Sequence, residues 1–254
     1  MLEGKKIAIF NVANKRSIAW AIAQSIIKFG GEAIIGYQNE RFKDNVEELV
    51  KELPKKPLLV QCDVSEDENI EKVAEEIERT VGKIDGFVHS IAYAPTEALK
   101  APFIETSKEA FRIAMEISVY SFVAMTRIFR RIINPSGSII TLTYYGAEKV
   151  VPNYNVMGVA KSALESSVRY LAYELGKDNI RVNAISAGPL NTLAARGISG
   201  FTNILEYHKE RAPLKRNIEH REVGDTASFL LSDLSSGITG EVIYVDAGYN
   251  IMGI

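Results

Sequence analysis

Apolar positions along the chain follow two periods that take turns. Residues 6–12 (KIAIFNV) are a short apolar run between polar flanks, and residues 17–29 place Ile18, Ile22, Ile26 and Phe29 at helical spacing. Gly30 and Gly31 stop that helix. Residues 33–36 predict a second strand, and residues 39–53 carry Phe42, Val46, Leu49 and Val50 on one stripe until Pro54 ends it. A third strand at 58–60, an amphipathic helix at 66–81 and a fourth strand at 84–89 follow. Residues 107–131 read as one long helix with little polarity in its middle, 138–142 as a strand, 154–176 as another long helix and 180–185 as a sixth strand. Residues 188–212 are irregular by pattern, 219–231 are helical and 241–245 make a seventh strand. Strands separated by helices of this length require crossover connections. The expectation is an α/β fold, a doubly wound parallel sheet of seven strands with helices on both faces, in a single domain spanning residues 1–254.

Sheets of this kind bind ligands beyond the carboxyl ends of their strands, here Asn11, Tyr37, Cys62, His89, Thr143 and Ser186. The turn after the first strand, Asn11 to Ile18, opens a helix whose amides suit a pyrophosphate, yet it contains no glycine. Ser17 reads equally as a plain N-cap. Gln38 stands where a dinucleotide's adenosine ribose is read, with Arg41 and Lys43 nearby as partners for a 2'-phosphate or as solvated charges. Asp63 is either an acceptor for an adenine amino group or a local cap.

The densest segment is 138–161, SIITLTYYGAEKVVPNYNVMGVAK. On a helix, Tyr154 and Lys161 lie about 20° apart around the axis and roughly 10.5 Å along it. A phenol can donate to an oxygen gaining negative charge, and a nearby ammonium lowers the phenol's pKa and can hold sugar hydroxyls. The plain alternative is a packed tyrosine and a solvated lysine. Tyr145 and Lys149 match the Tyr-x-x-x-Lys spacing of ordinary short-chain dehydrogenases, but Gly146 and Pro152 make that stretch a loop, where helical spacing fails.

Composition removes other classes. Among 254 residues, 30 Lys and Arg against 32 Asp and Glu give a net charge of -2, which offers no field for nucleic acid. The longest uncharged stretch, 132–147, contains Pro135 and Gly137 and is too short for a membrane span. The start lacks a secretory signal pattern and Cys62 is the single cysteine, so a cytoplasmic location is expected. His89, His208 and His220 are far apart and no metal site is expected; neither a hydrolase elbow nor a P-loop occurs. Leu193, Ile198, Phe201, Ile204 and Leu205 make 188–212 an expected lid over an apolar ligand.

Five stretches carry a family resemblance: VANKRSIAWAIA (12–23), HSIAYAP (89–95), YYGAEKVVPNYNVMGVAKSALESSVRYLA (144–172), RVNAISAGPLNTLAA (181–195) and ITGEVIYVDAGYNIMG (238–253). The chain resembles the NADH-dependent enoyl-(acyl carrier protein) reductases of bacterial fatty-acid synthesis, a divergent branch of the short-chain dehydrogenase/reductases. The resemblance implies a homotetramer of Rossmann subunits that reduces the 2,3 double bond of trans-2-enoyl thioesters delivered on acyl carrier protein. It implies Tyr154 as the catalytic phenol, Lys161 as the holder of the nicotinamide ribose and Tyr144 as a second active-site tyrosine. Cofactor contacts implied are Asn11, Ser17, Ile18, Gln38, Asp63, Val64, Ser90, Ile91, Ala92, Leu190, Thr192, Leu193 and Ala194, and the acyl pocket is implied at Ala94, Met157, Phe201 and Ile204 together with both tyrosines. Asn11 departs from the family's usual glycine, though Asn tolerates a left-handed backbone. Gln38 points to NADH over NADPH. Residues 199–205 carry no basic side chain for an acidic carrier protein, Arg196 and Lys209 being the nearest. The competing readings are an ordinary ketone or 3-ketoacyl thioester reductase working through Tyr145 and Lys149, and a non-enzymatic NADH sensor.

Overall fold

The computed structural model describes residues 1–193, 195 and 200–253. Among them the strands are β1 (Lys6–Phe10), β2 (Glu32–Tyr37), β3 (Leu58–Gln61), β4 (Ile84–His89), β5 (Ile133–Thr143), β6 (Arg181–Ala187) and β7 (Val242–Val245). They form one parallel sheet in the order β3-β2-β1-β4-β5-β6-β7. The chain starts in the middle, builds outward to β3, then returns to the other side of β1 with β4, so the sheet's switch point lies between β1 and β4.

The helices are α1 (Ile18–Lys28), α2 (Glu40–Val50), α3 (Asp67–Val81), α4 (Thr96–Lys100), α5 (Lys108–Met115), α6 (Ser121–Phe129), α7 (Val156–Leu175), α8 (Phe201–Arg211) and α9 (His220–Leu231). Alternate strand residues face opposite ways, so two cores form. Ile7, Ile9, Val88, Ile140 and Ile185 meet α1, α2 and α9, whereas Ala8, Phe10, Phe87, Ile139 and Val182 meet α3, α6 and α7. In the second core Phe10, Phe87 and Phe129 stack with centroids 5.4 to 6.2 Å apart. Glycine sets the closest approach on the other face, because a Cβ on Gly224 of α9 would lie 2.6 Å from the Ala21 carbonyl of α1.

The structure differs from the sequence pattern in three places. The expected single helix over 107–131 contains a π turn, Glu116–Tyr120, between α5 and α6. Its buried Ser118 bonds outside the helix, Oγ accepting from the Tyr93 amide and donating to the Tyr93 carbonyl, both at 3.0 Å, and Ser121, the first residue of α6, donates back to the Ile117 carbonyl within the turn. Second, part of the irregular 188–212 segment is the helix α8. Its pattern misleads because its single buried side chain is His208, which stacks on Tyr249 at 4.8 Å and pairs through Nδ1 with Asn217 Oδ1 at 3.1 Å. Third, α7 begins at Val156, so Tyr154 belongs to the turn before the helix. Asn153 and Asn155 take φ of 66° and 46°, and Asn155 Nδ2 donates to the carbonyls of Ala98 and Ala101. That left-handed backbone cannot be helical, and the spacing argument for Tyr154 and Lys161 on one helical face therefore does not hold. No helix among the described residues is long and apolar enough to cross a membrane.

Candidate active site

The site is built at the carboxyl end of β5. Tyr144 follows the strand, and its ring meets that of Tyr154 edge to face, centroids 5.0 Å apart and planes at 80°. Gly146 makes this possible, since a Cβ there would lie 2.5 Å from Tyr154 Cδ1. Gly158, on the first turn of α7, lets the helix close on the same loop, because its Cβ would lie 2.8 Å from the Gly146 carbonyl. Lys161 is buried and donates from Nζ to the Leu142 carbonyl at 2.7 Å, two residues before Tyr144. Both tyrosines and the lysine thus converge on one strand end, by a turn and a helix and not by helical spacing.

Tyr145 faces elsewhere. It lies on a one-turn helix, Tyr145–Ala147, with its hydroxyl 3.5 Å from the Asn250 carbonyl and its ring edge-on to Tyr244 and Tyr249. Lys149 is exposed beyond it. The Tyr145 and Lys149 pair therefore lacks the shared helix that its chemistry needs.

Burial pushes the Tyr144 phenol up to about 12, with Tyr249 adding to the effect. Tyr154 is also pushed up, by burial first and then by Tyr144 and Glu165. The expected lowering of the Tyr154 phenol by Lys161 is not what the site produces; both phenols stay protonated donors at neutral pH. Burial pulls the Lys161 ammonium down to about 8, and Glu165 opposes that pull.

His89, the last residue of β4, is fully buried beside Lys161 and was not reached by sequence reasoning except as a strand end. Its Nε2 lies 2.8 Å from Ser121 Oγ and Nδ1 lies 3.0 Å from Thr141 Oγ1. Ser121 Oγ gives its own proton to the Ile117 carbonyl and so is an acceptor for Nε2, while Thr141 Oγ1 reaches both Nδ1 and the His89 carbonyl, the latter at 3.3 Å. Burial, then the Lys161 charge, hold the ring at about 3. Below the unfolded histidine value the unfolded chain takes a proton that the folded chain refuses, so stability falls as pH drops from about 6.5, by about 1.4 kcal/mol per pH unit for this group. Urea unfolding at about pH 7 and about pH 5 should show that His89→Gln has a shallower acid slope than the unaltered chain.

The residues of the expected cofactor site follow the carboxyl ends of β1, β2, β3, β4 and β6, on both sides of the switch point. Asn11 adopts φ 72° and donates from Nδ2 to the Ser90 carbonyl at 2.8 Å, so the left-handed turn that the sequence suggested for Asn is present and its amide ties the ends of β1 and β4 together. Ser17 is not a side-chain cap; its Oγ donates to the Asn14 carbonyl and accepts from the Ala13 and Asn14 amides. Ile18 is the first residue of α1. Asp63 Oδ1 accepts from the Ser65 amide and hydroxyl, and Val64 is buried beside it. Gln38 is exposed after β2, and Ser90, Ile91 and Ala92 are partly exposed after β4. Leu190 is buried and Leu193 exposed after β6, while Thr192 Oγ1 accepts from the Ala195 amide. Ala194 lies outside the described residues, as do Arg196 and Ile198. Ala94 and Met157 pack in a small core with Ala98, Ala114 and Val156 against Tyr154, whereas Phe201 and Ile204 lie on α8.

These residues suit an anionic dinucleotide. No side chain caps α1 and no acidic residue occupies its first turn, which leaves the dipole's positive end to an anion. Lys161 spends one of its three N–H groups on Leu142. Lys43 pairs with Glu40 at 3.3 Å beside the neutral Gln38, while Arg41 is exposed with its guanidinium 6.0 Å from the Phe42 ring centroid.

The strand order defines a doubly wound α/β protein, of the class that takes its ligands at the carboxyl ends of the strands. A sequence model described as enoyl-(acyl carrier protein) reductase matches residues 12–250. The Bacillus cereus enoyl-(acyl carrier protein) reductase (NADH) is 49% identical over 254 residues, covering 100% of this chain and 99% of that protein. The Staphylococcus aureus MRSA252 enoyl-(acyl carrier protein) reductase (NADPH) is 49% identical over 250 residues, covering 98% of each chain. The crystal structure of the Bacillus cereus reductase with NADP+ and indole naphthyridinone matches with a TM-score of 0.98 at 49% identity, covering 100% of both chains. The chain belongs to the enoyl-(acyl carrier protein) reductase family.

Proposed function

We infer that this chain reduces the 2,3 double bond of trans-2-enoyl thioesters carried on acyl carrier protein, in fatty-acid elongation, with NADH as reductant. The observation that carries the reading is the pair of phenols, Tyr144 and Tyr154, packed at 5.0 Å beside the strand end that Lys161 grips. A bound reduced nicotinamide supplies the hydride, which goes to the beta carbon. The Tyr154 hydroxyl then donates to the thioester oxygen as negative charge grows there, a donor that burial has kept from ionising. Tyr144 borders the same space, shaping the acyl pocket or assisting proton supply to the alpha carbon. Lys161 orients the nicotinamide ribose through the N–H groups that Leu142 leaves to it.

The remaining groove residues hold the rest of the cofactor: Ser17 and Ile18 at the pyrophosphate, Gln38 at the adenosine ribose, Asp63 and Val64 at the adenine, and Ser90, Ile91, Ala92, Leu190, Thr192 and Leu193 toward the nicotinamide. The neutral Gln38, with Lys43 paired to Glu40, supports NADH over NADPH. Ala94, Met157, Phe201 and Ile204 line the acyl chain's path. The chain is read as one domain in the cytoplasm, assembled as a homotetramer. Exposed Phe111 and Tyr120 on the α5 to α6 stretch and exposed Tyr170 and Tyr173 on α7 support self-association, since side chains this apolar gain from being covered.

The test is loss of reduced-nicotinamide absorbance on mixing purified protein with crotonyl-CoA and either NADH or NADPH, with acetoacetyl-CoA as the ketone control. Turnover of the enoyl substrate with NADH supports the reading. Turnover of the ketone alone returns the chemistry to an ordinary short-chain reductase, and NADH binding without turnover of enoyl-CoA or enoyl-(acyl carrier protein) returns it to a sensor. The lid has its own check. α8 is held by one buried side chain, so its amides should exchange fast without cofactor and more slowly with NADH bound. Equal exchange in both states removes the lid.

A further inference from the structure

Glu165 is a carboxylate in a place that favours apolar side chains. It lies on the sheet-facing side of α7 among Leu164, Val168 and Ala172, is 8% exposed, and follows the 5% exposed Lys161 by one helical turn. Its Oε1 accepts from Thr143 Oγ1 at 2.7 Å. Lys161 donates to Leu142 at the same distance, so the two side chains grip consecutive residues of β5, and the next residue is Tyr144. Lys161 and Glu165 are not hydrogen-bonded to each other. Burying a carboxylate costs several kcal/mol unless its surroundings repay it, and one threonine hydroxyl is a small return.

Resting on the reductase reading, we propose that Glu165 is a positioning residue, which keeps the buried Lys161 in its ammonium form and, through Thr143, fixes the strand end that presents Tyr144. The charged and titratable groups around the pair are few. His89 reaches Lys161 from β4 and is neutral; Glu148 and Arg169 act on Glu165 with opposite signs, and Tyr154 feels the Glu165 charge. Burial raises the Glu165 carboxyl, and the Thr143 hydrogen bond, Arg169 and Lys161 oppose that rise; in its ionised form Glu165 is the group that opposes desolvation of Lys161. Without it, an ammonium already drawn down to about 8 would lose its proton near neutral pH and with it the charge that holds a ribose.

The experiment is a pH titration of cofactor-free protein carrying 13C at the lysine ε-carbons, the Lys161 resonance being assigned by its loss in Lys161→Met. Glu165→Gln should move the Lys161 midpoint down by about one pH unit, a tenfold loss in proton affinity. Thr143→Val, which deprives Glu165 of its hydrogen bond and makes it easier to protonate, should move it the same way by less, and Glu165→Asp should restore most of the shift. NADH affinity should then fall several-fold at about pH 8 and stay near the unaltered value at about pH 6. Midpoints unmoved in both Glu165→Gln and Thr143→Val, or an affinity loss equal at both pH values, would overturn the proposal. Failure of the unaltered protein to bind NADH or reduce crotonyl-CoA would instead strike the reductase reading, while the cofactor-free titration would still report on Glu165 and Lys161.

Discussion

Tyr154→Phe is expected to lower kcat/KM for an enoyl thioester by about 10²–10³-fold while leaving NADH affinity unchanged. The phenyl ring can stay where it is, wedged under Gly146 and edge-on to Tyr144, so only the hydroxyl is lost. In the proposed function that hydroxyl donates to the oxygen on which charge develops, and a donor that acts mainly in the transition state shows its loss in kcat. Steady-state kinetics with crotonyl-CoA check the split. Tyr145→Phe is the control: its ring faces Tyr244, Tyr249 and Asn250, and its removal should change kcat/KM by less than about twofold. A large loss with Tyr145→Phe and none with Tyr154→Phe would transfer the chemistry to the other tyrosine. Since burial raises both site phenols, neither contributes an alkaline limb near pH 8; a limb there belongs to Lys161.

Lys161→Met is the second large effect. It removes the ammonium proposed to hold the ribose and its hydrogen bond to the Leu142 carbonyl, so NADH affinity should fall by about 10- to 100-fold, the range of a charge-assisted hydrogen bond. The cofactor-free protein should lose little stability, because a desolvated ammonium is costly to keep. The sign of the pH dependence separates the two effects. The folded ammonium titrates near 8 and the unfolded one near its ordinary value of 10.5, so between those values the unfolded chain holds more protons and stability rises with pH, by about 1.4 kcal/mol per unit. Lys161→Met should abolish that rise, measurable as urea midpoints at about pH 8 and about pH 10, and shrink the thermal stabilisation that NADH provides.

The fold was legible because it is written in local periods. Alternating strands and helices give the parallel sheet, and every predicted strand is present. The site was legible in part. The left-handed turn at Asn11 follows from the glycine that the resembling family has there and from Asn's tolerance of that backbone, and φ 72° agrees. Tyr144, Tyr154 and Lys161 were selected by residue type and family likeness, and they do converge on the end of β5. The route was not legible: helical spacing was invoked for Tyr154, whereas two asparagines in left-handed backbone place it before the helix.

By itself the sequence determined the order of elements, the faces of the sheet, the strand ends where chemistry can sit and the family to which the residues point, all of which depend on neighbours in the chain. Tertiary structure alone decided the quantities that depend on residues far apart. Within the π turn, buried Ser118 bonds to the Tyr93 backbone, a partner that no local period reveals. The helix α8 is hidden because it rests on one histidine instead of an apolar stripe. The protonation of the site was likewise decided by packing: an isolated Lys beside a Tyr would lower the phenol, but desolvation within the closed strand end raises both phenols and lowers the ammonium, and burial is a property of the whole fold.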